Sequence, residues 1–358
     1  MIKAKNYILE IDPYKPGKSN TKGENIVKLS SNENALGASP VAIYAYKNDA
    51  EKTFRYPDGG CVDLRAAIAN KYNIESDKIV CGAGSDEIIA LLVHSFCDID
   101  DEVLYSEYGF LMYSISAKRV GAKSVIAKET NLTANVDNFL INISKKTKII
   151  FIANPNNPTG SYLGASEIER LIKNTPSDIL IVLDLAYAEF VEEEDYSDGI
   201  ELVNKYHNVV MMRTFSKIYG LASLRLGWSY SSSYVASILN RARGPFNVSG
   251  AAQSAGIAAI NDEEFLGESK SHNNKWLKII ADELDKIGIK HYPSVANFVL
   301  IDFLSPDKCK QVNQLLLDSG VILREMTSYS LPNCLRMTIG KDEENLLVIK
   351  LLNQFTKN

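Results

Sequence analysis

The chain has 358 residues, more than one hydrophobic core usually organises, so two domains are expected. Its composition is 46% hydrophobic and 23% charged with a formal net charge of −5, which suits a water-soluble globular protein and offers no basic excess for nucleic acid. No apolar run reaches the roughly 18 residues of a membrane span, and MIKAKNYILEIDPYKPGKS lacks the apolar core of a signal peptide, so a cytoplasmic protein is expected.

In chain order, residues 1–36 lack strong periodicity and read as an N-terminal arm. From about residue 60 onward, short apolar runs alternate with amphipathic stretches. DLRAAIANKYN predicts a helix, KIVCGAG a strand and turn, SDEIIALLVHSF a helix, and EVLYS a strand. FLMYSISAKRVGA then predicts a helix and KSVIAKE a strand, while KIIFIANP, ILIVLDLAY and NVVMMRTFS predict three more strands. The acidic run 192–195 reads as a solvated loop. Strands alternating with helices imply an α/β fold with a mostly parallel, doubly wound sheet, here assigned to a large domain over 37–256. The texture changes in 257–358. ESKSHNNKWLKIIADELDKIG predicts a long helix, followed by NFVLIDF, a helix around KCKQVNQLLLDSG, VILRE, CLRMTIG and a closing helix, which together suggest a smaller α+β domain.

Five cysteines (Cys61, Cys81, Cys97, Cys309, Cys334) form no CxxC pair and are odd in number, as expected of reduced thiols. The four histidines are scattered without ligand spacing, so no metal site is expected.

In a doubly wound sheet ligands collect at the carboxyl ends of the strands. Four polar features stand there: CGAGSDE (81–87), NPNNPTG (154–160), DLAYAEF (184–190) and TFSK (214–217). CGAGSDE can cradle an anion, because glycines admit a close backbone and a helix N-terminus offers free N–H groups. The dinucleotide pattern GxGxxG is not completed, since Glu87 stands at the third glycine position, and an ordinary glycine turn is the alternative. Asp184 ends a very apolar run, where an unpaired charge is expensive. Lys217 follows another. The two could simply form a structural ion pair, or each could serve a ligand.

One ligand satisfies all four features. Pyridoxal 5′-phosphate carries an aldehyde for Lys217 and a ring nitrogen that Asp184 would keep protonated. Its phosphate suits Gly84, Ser85 and Asp86 at the helix start, together with Thr214, Ser216 and the planar guanidinium of Arg225. Its phenolic oxygen suits Tyr187 and the side-chain amide of Asn157.

NPNNPTG, DLAYAEF and TFSK followed by Arg225 resemble the class I and II, fold-type I, pyridoxal-phosphate-dependent aminotransferases in order and spacing. Within them, KLSSNENALGASP, FRYPDGGCVDLRAAIA, RTFSKIYGLASLRLGW, RGPFNVSGAAQSAG and CLRMTIG are similar to the histidinol-phosphate aminotransferases. The resemblance implies a fold-type I transferase with Lys217, Asp184 and Tyr187 catalytic. It implies Gly84, Ser85, Asp86, Asn157, Thr214, Ser216 and Arg225 on the cofactor. It also implies a homodimer in which Tyr56 of one subunit reaches the other's cofactor phosphate. Arg336, with Tyr14, Asn34 and Arg324, would hold a small amino donor or the 2-oxo acid acceptor. SEYGFLMYS departs from the commoner pattern and puts Phe110 at the ring-stacking position, with Tyr108 two residues earlier. An aromatic or broad-specificity aminotransferase, or a relative of the threonine-phosphate decarboxylases, shares most of these motifs.

Overall fold

The computed structural model describes residues 2–12 and 26–357. After a short first strand, β1 (Val27–Leu29), seven strands make one sheet: β2 (Ile79–Gly82), β3 (Glu102–Ser106), β4 (Lys123–Ala127), β5 (Thr147–Ala153), β6 (Leu180–Asp184), β7 (Val209–Thr214) and β8 (Gly227–Ser231). Their order is β2-β8-β7-β6-β5-β3-β4. All run parallel except β8, which is antiparallel to both neighbours.

The central strands are apolar almost throughout because both faces of the sheet are covered. Side chains alternate between the faces with period two. Ile150, Ile152, Ile181, Leu183 and Met211 pack into one core with the helices Val62–Tyr72, Ala165–Asn174 and Gly250–Asn261. Ile149, Phe151, Val182, Val210 and Met212 pack into the other with Ser85–Phe96, Met112–Val120 and Ser233–Ala242. Chain order reverses between β3 and β5, and the loops after those strands part there to leave a crevice.

Several elements depart from the sequence reading, and three of them shape the two sheets. β8 is absent from the expected strands; its Trp228 and Tyr230 bury into a core and carry it into the sheet. The long helix spans Glu263–Lys286, starting five residues before ESKSHNNKW. Asp262 caps it by accepting from the Phe265 amide at 3.2 Å, and Glu263 and Glu264 occupy the positive first turn. The third is β1, which lies in the segment read as an arm but pairs in parallel with β11 (Val27↔Val321).

The second sheet adds β9 (Lys290–Tyr292), β10 (Phe298–Asp302), β11 (Val321–Glu325) and β12 (Cys334–Thr338) in the order β1-β11-β12-β10-β9. Trp276, Ile280 and Leu284 of the long helix close its core against Val299, Ile301, Leu335 and Met337. Residues 30–34, just after β1, cross from the second sheet to the carboxyl ends of β6 and β7 in the first.

Beneath the loop that carries Lys217 lies a buried charge. Arg213 in β7 is only 3% exposed. Its guanidinium donates to Glu189 at 3.0 Å, to the Tyr72 hydroxyl at 3.3 Å and to the Asp198 carbonyl at 3.0 Å. Tyr72 also bonds to Glu189 and to the Tyr219 hydroxyl, each at 3.1 Å. The network ties the helix Val62–Tyr72 to the turns after β6 and β7. Breaking one side of such a pair leaves an uncompensated buried charge. Arg213→Met should lower the unfolding free energy by about 3–5 kcal/mol in urea titration, and adding Glu189→Leu should recover most of it. An Arg213→Met protein with an unchanged midpoint would show that the pair contributes nothing.

Candidate active site

The carboxyl ends of β2, β3, β5, β6 and β7 converge on one cavity of about 260 Å³. Asp184, the last residue of β6, is 6% exposed. Its Oδ2 accepts from the Tyr113 hydroxyl at 2.7 Å. Its Oδ1 is buried and has no hydrogen-bond partner of normal geometry. Burial pushes the carboxyl up from its ordinary 3.8 to about 6, against the opposing pull of the Tyr113 hydroxyl and the Ala186 amide. Tyr113 satisfies one oxygen of this carboxylate, the other lacks a partner of normal geometry, and the residue lines the cavity.

Lys217 follows β7 through TFSK. Its Nζ donates to the Ser31 carbonyl at 3.2 Å and lies 5.7 Å from the centroid of the Tyr187 ring. Among the described ion pairs none joins Lys217 to Asp184, so the plain structural pair that the sequence left open does not form. Burial, aided by the nearby Arg336 charge, lowers the amine to about 8. Such an amine loses its proton readily near neutral pH and can act as nucleophile or base.

The two side chains expected at a phenolic oxygen are each held from behind. Tyr187 is buried, and its hydroxyl accepts from Asn32 Nδ2 at 2.8 Å. Asn157 receives a short hydrogen bond from Arg336 on its Oδ1. Arg336, in β12, is 6% exposed, donates to the Ser30 carbonyl at 2.9 Å and stacks its guanidinium 5.2 Å from the Phe298 ring centroid. It is a buried cation beside the cavity rather than a surface strand residue.

At the far end, Gly84 has φ +87, a conformation that a side chain would strain, and a Cβ there would lie 2.3 Å from Arg225 Nη2. The helix Ser85–Phe96 begins immediately after, so its first amides and positive dipole end face the cavity. Glu87, at the position of the missing third glycine, accepts from the Ala83 amide at 2.6 Å and from Asn247 at 2.7 Å, bracing the turn. Arg225 pairs with Asp86 at 3.1 Å and donates to Ser216 Oγ at 3.4 Å. The Thr214 hydroxyl accepts from the Ser216 amide at 3.1 Å. Guanidinium, hydroxyls and helix amides together make an anion cradle.

Ser85, Asp86, Phe110, Asn157, Asp184, Tyr187, Thr214, Ser216, Lys217 and Arg225 all line this one cavity. Phe110 supplies the aromatic wall, edge-on to Tyr113 at 6.0 Å, whereas Tyr108 packs into a separate cluster near Tyr329. Gly84 and Arg336 adjoin lining residues without being among them, and three more of the expected residues that the structure describes are not among them either. Tyr56 is 83% exposed and stacks on Phe246 at 4.7 Å beside another groove. Asn34 instead braces the fold, its amide donating to the Ile218 carbonyl at 2.6 Å and to Ser269 at 3.0 Å. Arg324 lies opposite Arg336 in the β11–β12 register, and Tyr14 lies outside the described residues. Sequence reading missed Tyr113, Ser31 and Asn32. Tyr113 carried a usable signal, one helical turn beyond Phe110.

Residues 24–350 match the family model for aminotransferases of class I and II. The chain belongs to that family. This aminotransferase is 50% identical to the histidinol-phosphate aminotransferase of Paramagnetospirillum magneticum, over 97% of both chains. It is 47% identical to the Maricaulis maris protein of the same name, over 98% of both. Among solved structures, the Sinorhizobium meliloti histidinol-phosphate aminotransferase in complex with pyridoxal-5′-phosphate superposes with a TM-score of 0.87 at 25% identity, covering 92% of this chain and 91% of the other. A Thermus thermophilus aspartate aminotransferase variant shares the fold, with a TM-score of 0.85 at 18% identity over 99% of this chain and 100% of the other.

The titration of Asp184 gives this aminotransferase a measurable signature. A carboxyl whose folded value is raised binds its proton more tightly in the native state, so its contribution is full below pH 4 and lost as pH rises through about 6. Asp184→Asn should therefore stabilise the cofactor-free protein by about 3 kcal/mol at pH 8, with the difference closing toward pH 4. Urea unfolding at several pH values measures it, and a pH-independent difference would contradict the burial of this charge.

Proposed function

We propose that the chain is a pyridoxal-phosphate-dependent histidinol-phosphate aminotransferase of histidine biosynthesis. It would convert L-histidinol phosphate and 2-oxoglutarate to imidazole acetol phosphate and glutamate. One observation carries the cofactor: a lysine amine and a half-satisfied buried carboxylate open on the same cavity without pairing with each other. The substrate rests on relatives of that name at 45–50% identity along nearly the whole chain.

The residues fit the cofactor. The unpartnered Oδ1 of Asp184 suits a protonated ring nitrogen, the Gly84–Arg225 cradle suits a phosphate dianion, and Phe110 offers an apolar wall for the ring. When bound, the cofactor supplies an electron sink for breaking the C–H bond beside the substrate's amino group. Asp184 keeps the sink protonated. Lys217 Nζ would hold the cofactor and would carry the proton away from the substrate α-carbon. An amine lowered to about 8 can accept that proton near neutral pH and give it up again. Tyr187 and Asn157 would donate to the phenolic oxygen. Arg336 takes the anionic end of either substrate, since a planar guanidinium accommodates phosphate and carboxylate alike.

We place the work in a cytoplasmic homodimer. Five unpaired buried cysteines suit a reducing compartment, and Tyr56 stands exposed on a groove away from its own cavity, where it can serve a second subunit. Tyr14 and Arg324 are assigned to the substrate end on family resemblance. Residues 37–256 would form the cofactor domain and 257–358 the smaller domain that closes over the substrate.

Incubation with histidinol phosphate and 2-oxoglutarate should yield glutamate. Turnover of phenylalanine with none of histidinol phosphate would move the protein to an aromatic aminotransferase. Lys217→Ala should abolish turnover while the protein still folds and takes up cofactor, and Asp184→Ala should reduce the rate by roughly three orders of magnitude or more through loss of the protonated sink.

A further inference from the structure

Asn32 stands at a junction that the catalytic roles above leave unexplained. It has φ 55, a left-handed conformation that asparagine tolerates and most residues do not. Each of its polar groups is engaged. Its amide N–H donates to Thr338 Oγ1 at 2.9 Å, and its carbonyl accepts from Asn297 at 3.1 Å. The Thr338 hydroxyl donates its one hydrogen to Asn32 Oδ1 at 3.1 Å. That last bond decides the orientation of the side-chain amide. With Oδ1 turned to Thr338, Nδ2 must face Tyr187, and it does so at 2.8 Å. The Tyr187 oxygen is thereby an acceptor, and its own hydrogen has to point elsewhere.

Elsewhere means the cavity. Tyr187 lines it, Asn32 is the only hydrogen-bond partner described for its hydroxyl, and the other side of the ring is closed edge-on by Phe298 at 5.4 Å. The charged groups around it are Lys217, Asp184 and Arg336. Burial holds the hydroxyl near 12, so it keeps its hydrogen at working pH.

We propose that Asn32 is a positioning residue that aims the Tyr187 hydroxyl hydrogen into the cofactor cavity, and that Thr338 sets Asn32 in turn. The direction of the donor in the first sheet's site is thus set from β12 of the second sheet. The inference rests on the cofactor reading above, because the hydrogen needs the cofactor's phenolic oxygen as its acceptor. A donor aimed at that oxygen favours its charged form and lowers the pH at which the bound cofactor changes colour.

Two substitutions tolerate the left-handed backbone and so separate chemistry from folding. Asn32→Asp replaces the donor with an acceptor and turns the Tyr187 hydrogen away from the cavity; Asn32→Gly removes the side chain. In cofactor-loaded protein, the pH midpoint of the visible absorption change should rise by about one unit in Asn32→Asp and by less in Asn32→Gly. The decisive comparison repeats both in a Tyr187→Phe background, where the shifts should shrink to about 0.2 unit, since contributions that act through one group do not add. Equal shifts in both backgrounds, or none in either, would overturn the role. A wild-type protein that takes up no coloured cofactor would overturn this inference together with the cofactor reading, whereas normal uptake with unmoved Asn32 variants sinks the inference alone.

Discussion

A carboxylate at the end of a wholly buried strand must be compensated, and in this fold Asp184 is compensated only by half. Tyr113 satisfies one oxygen while the other is buried without a partner. Everything around the cavity is arranged so that the protein does not complete the set itself. Lys217 is drawn to the Ser31 carbonyl and kept off Asp184. Arg225 and Arg336, the other cations at the site, are engaged at opposite ends, one with Asp86 and one with Asn157 and Ser30. The result is a pocket with an unmet demand for positive charge at its floor and an unmet demand for an anion at its rim. An unsatisfied buried carboxylate oxygen is destabilising, and Asp184 carries one in the wall of a cavity that also holds a lysine amine.

Much of this was legible in the sequence because burial and catalysis leave different traces. Apolar β-branched runs located β2 to β7, since a strand covered on both faces has no room for polar residues. The residues just beyond them lined one cavity because a parallel sheet delivers all its carboxyl ends to the same side. What escaped was of other kinds. β8 is held by two aromatic residues among serines and a glycine, a local pattern indistinguishable from a turn. β1 has three residues and gains its place only by pairing with β11, nearly 300 positions away. Tyr56, expected at a second subunit's cofactor, shows in this chain only a stacked and exposed ring.

The supports of the site were harder to read than the site itself. Tyr113, Asn32 and Ser31 touch the chemical groups without being chemically distinctive. Ser31 contributes only a carbonyl, which any residue provides. Asn32 matters through an amide orientation that depends on Thr338, in a different sheet. Such couplings arise from tertiary packing and carry no local pattern. Arg213 is similar: a lone arginine inside VVMMRT looks like an interruption of the strand until Glu189, Tyr72 and Tyr219 surround it.

Residues 30–34 form a strap between the two sheets, and much of what it offers the site is backbone. Ser30 and Ser31 meet Arg336 and Lys217 through their carbonyls, while Asn32 and Asn34 pin the strap on either side of Glu33. What these two carbonyl contacts fix is the strap's length. A single inserted or deleted residue would slide every carbonyl past its cation at once. Among descendants of this protein the strap should keep its count, and an engineer who wished to graft the site would have to transplant a distance as well as a motif.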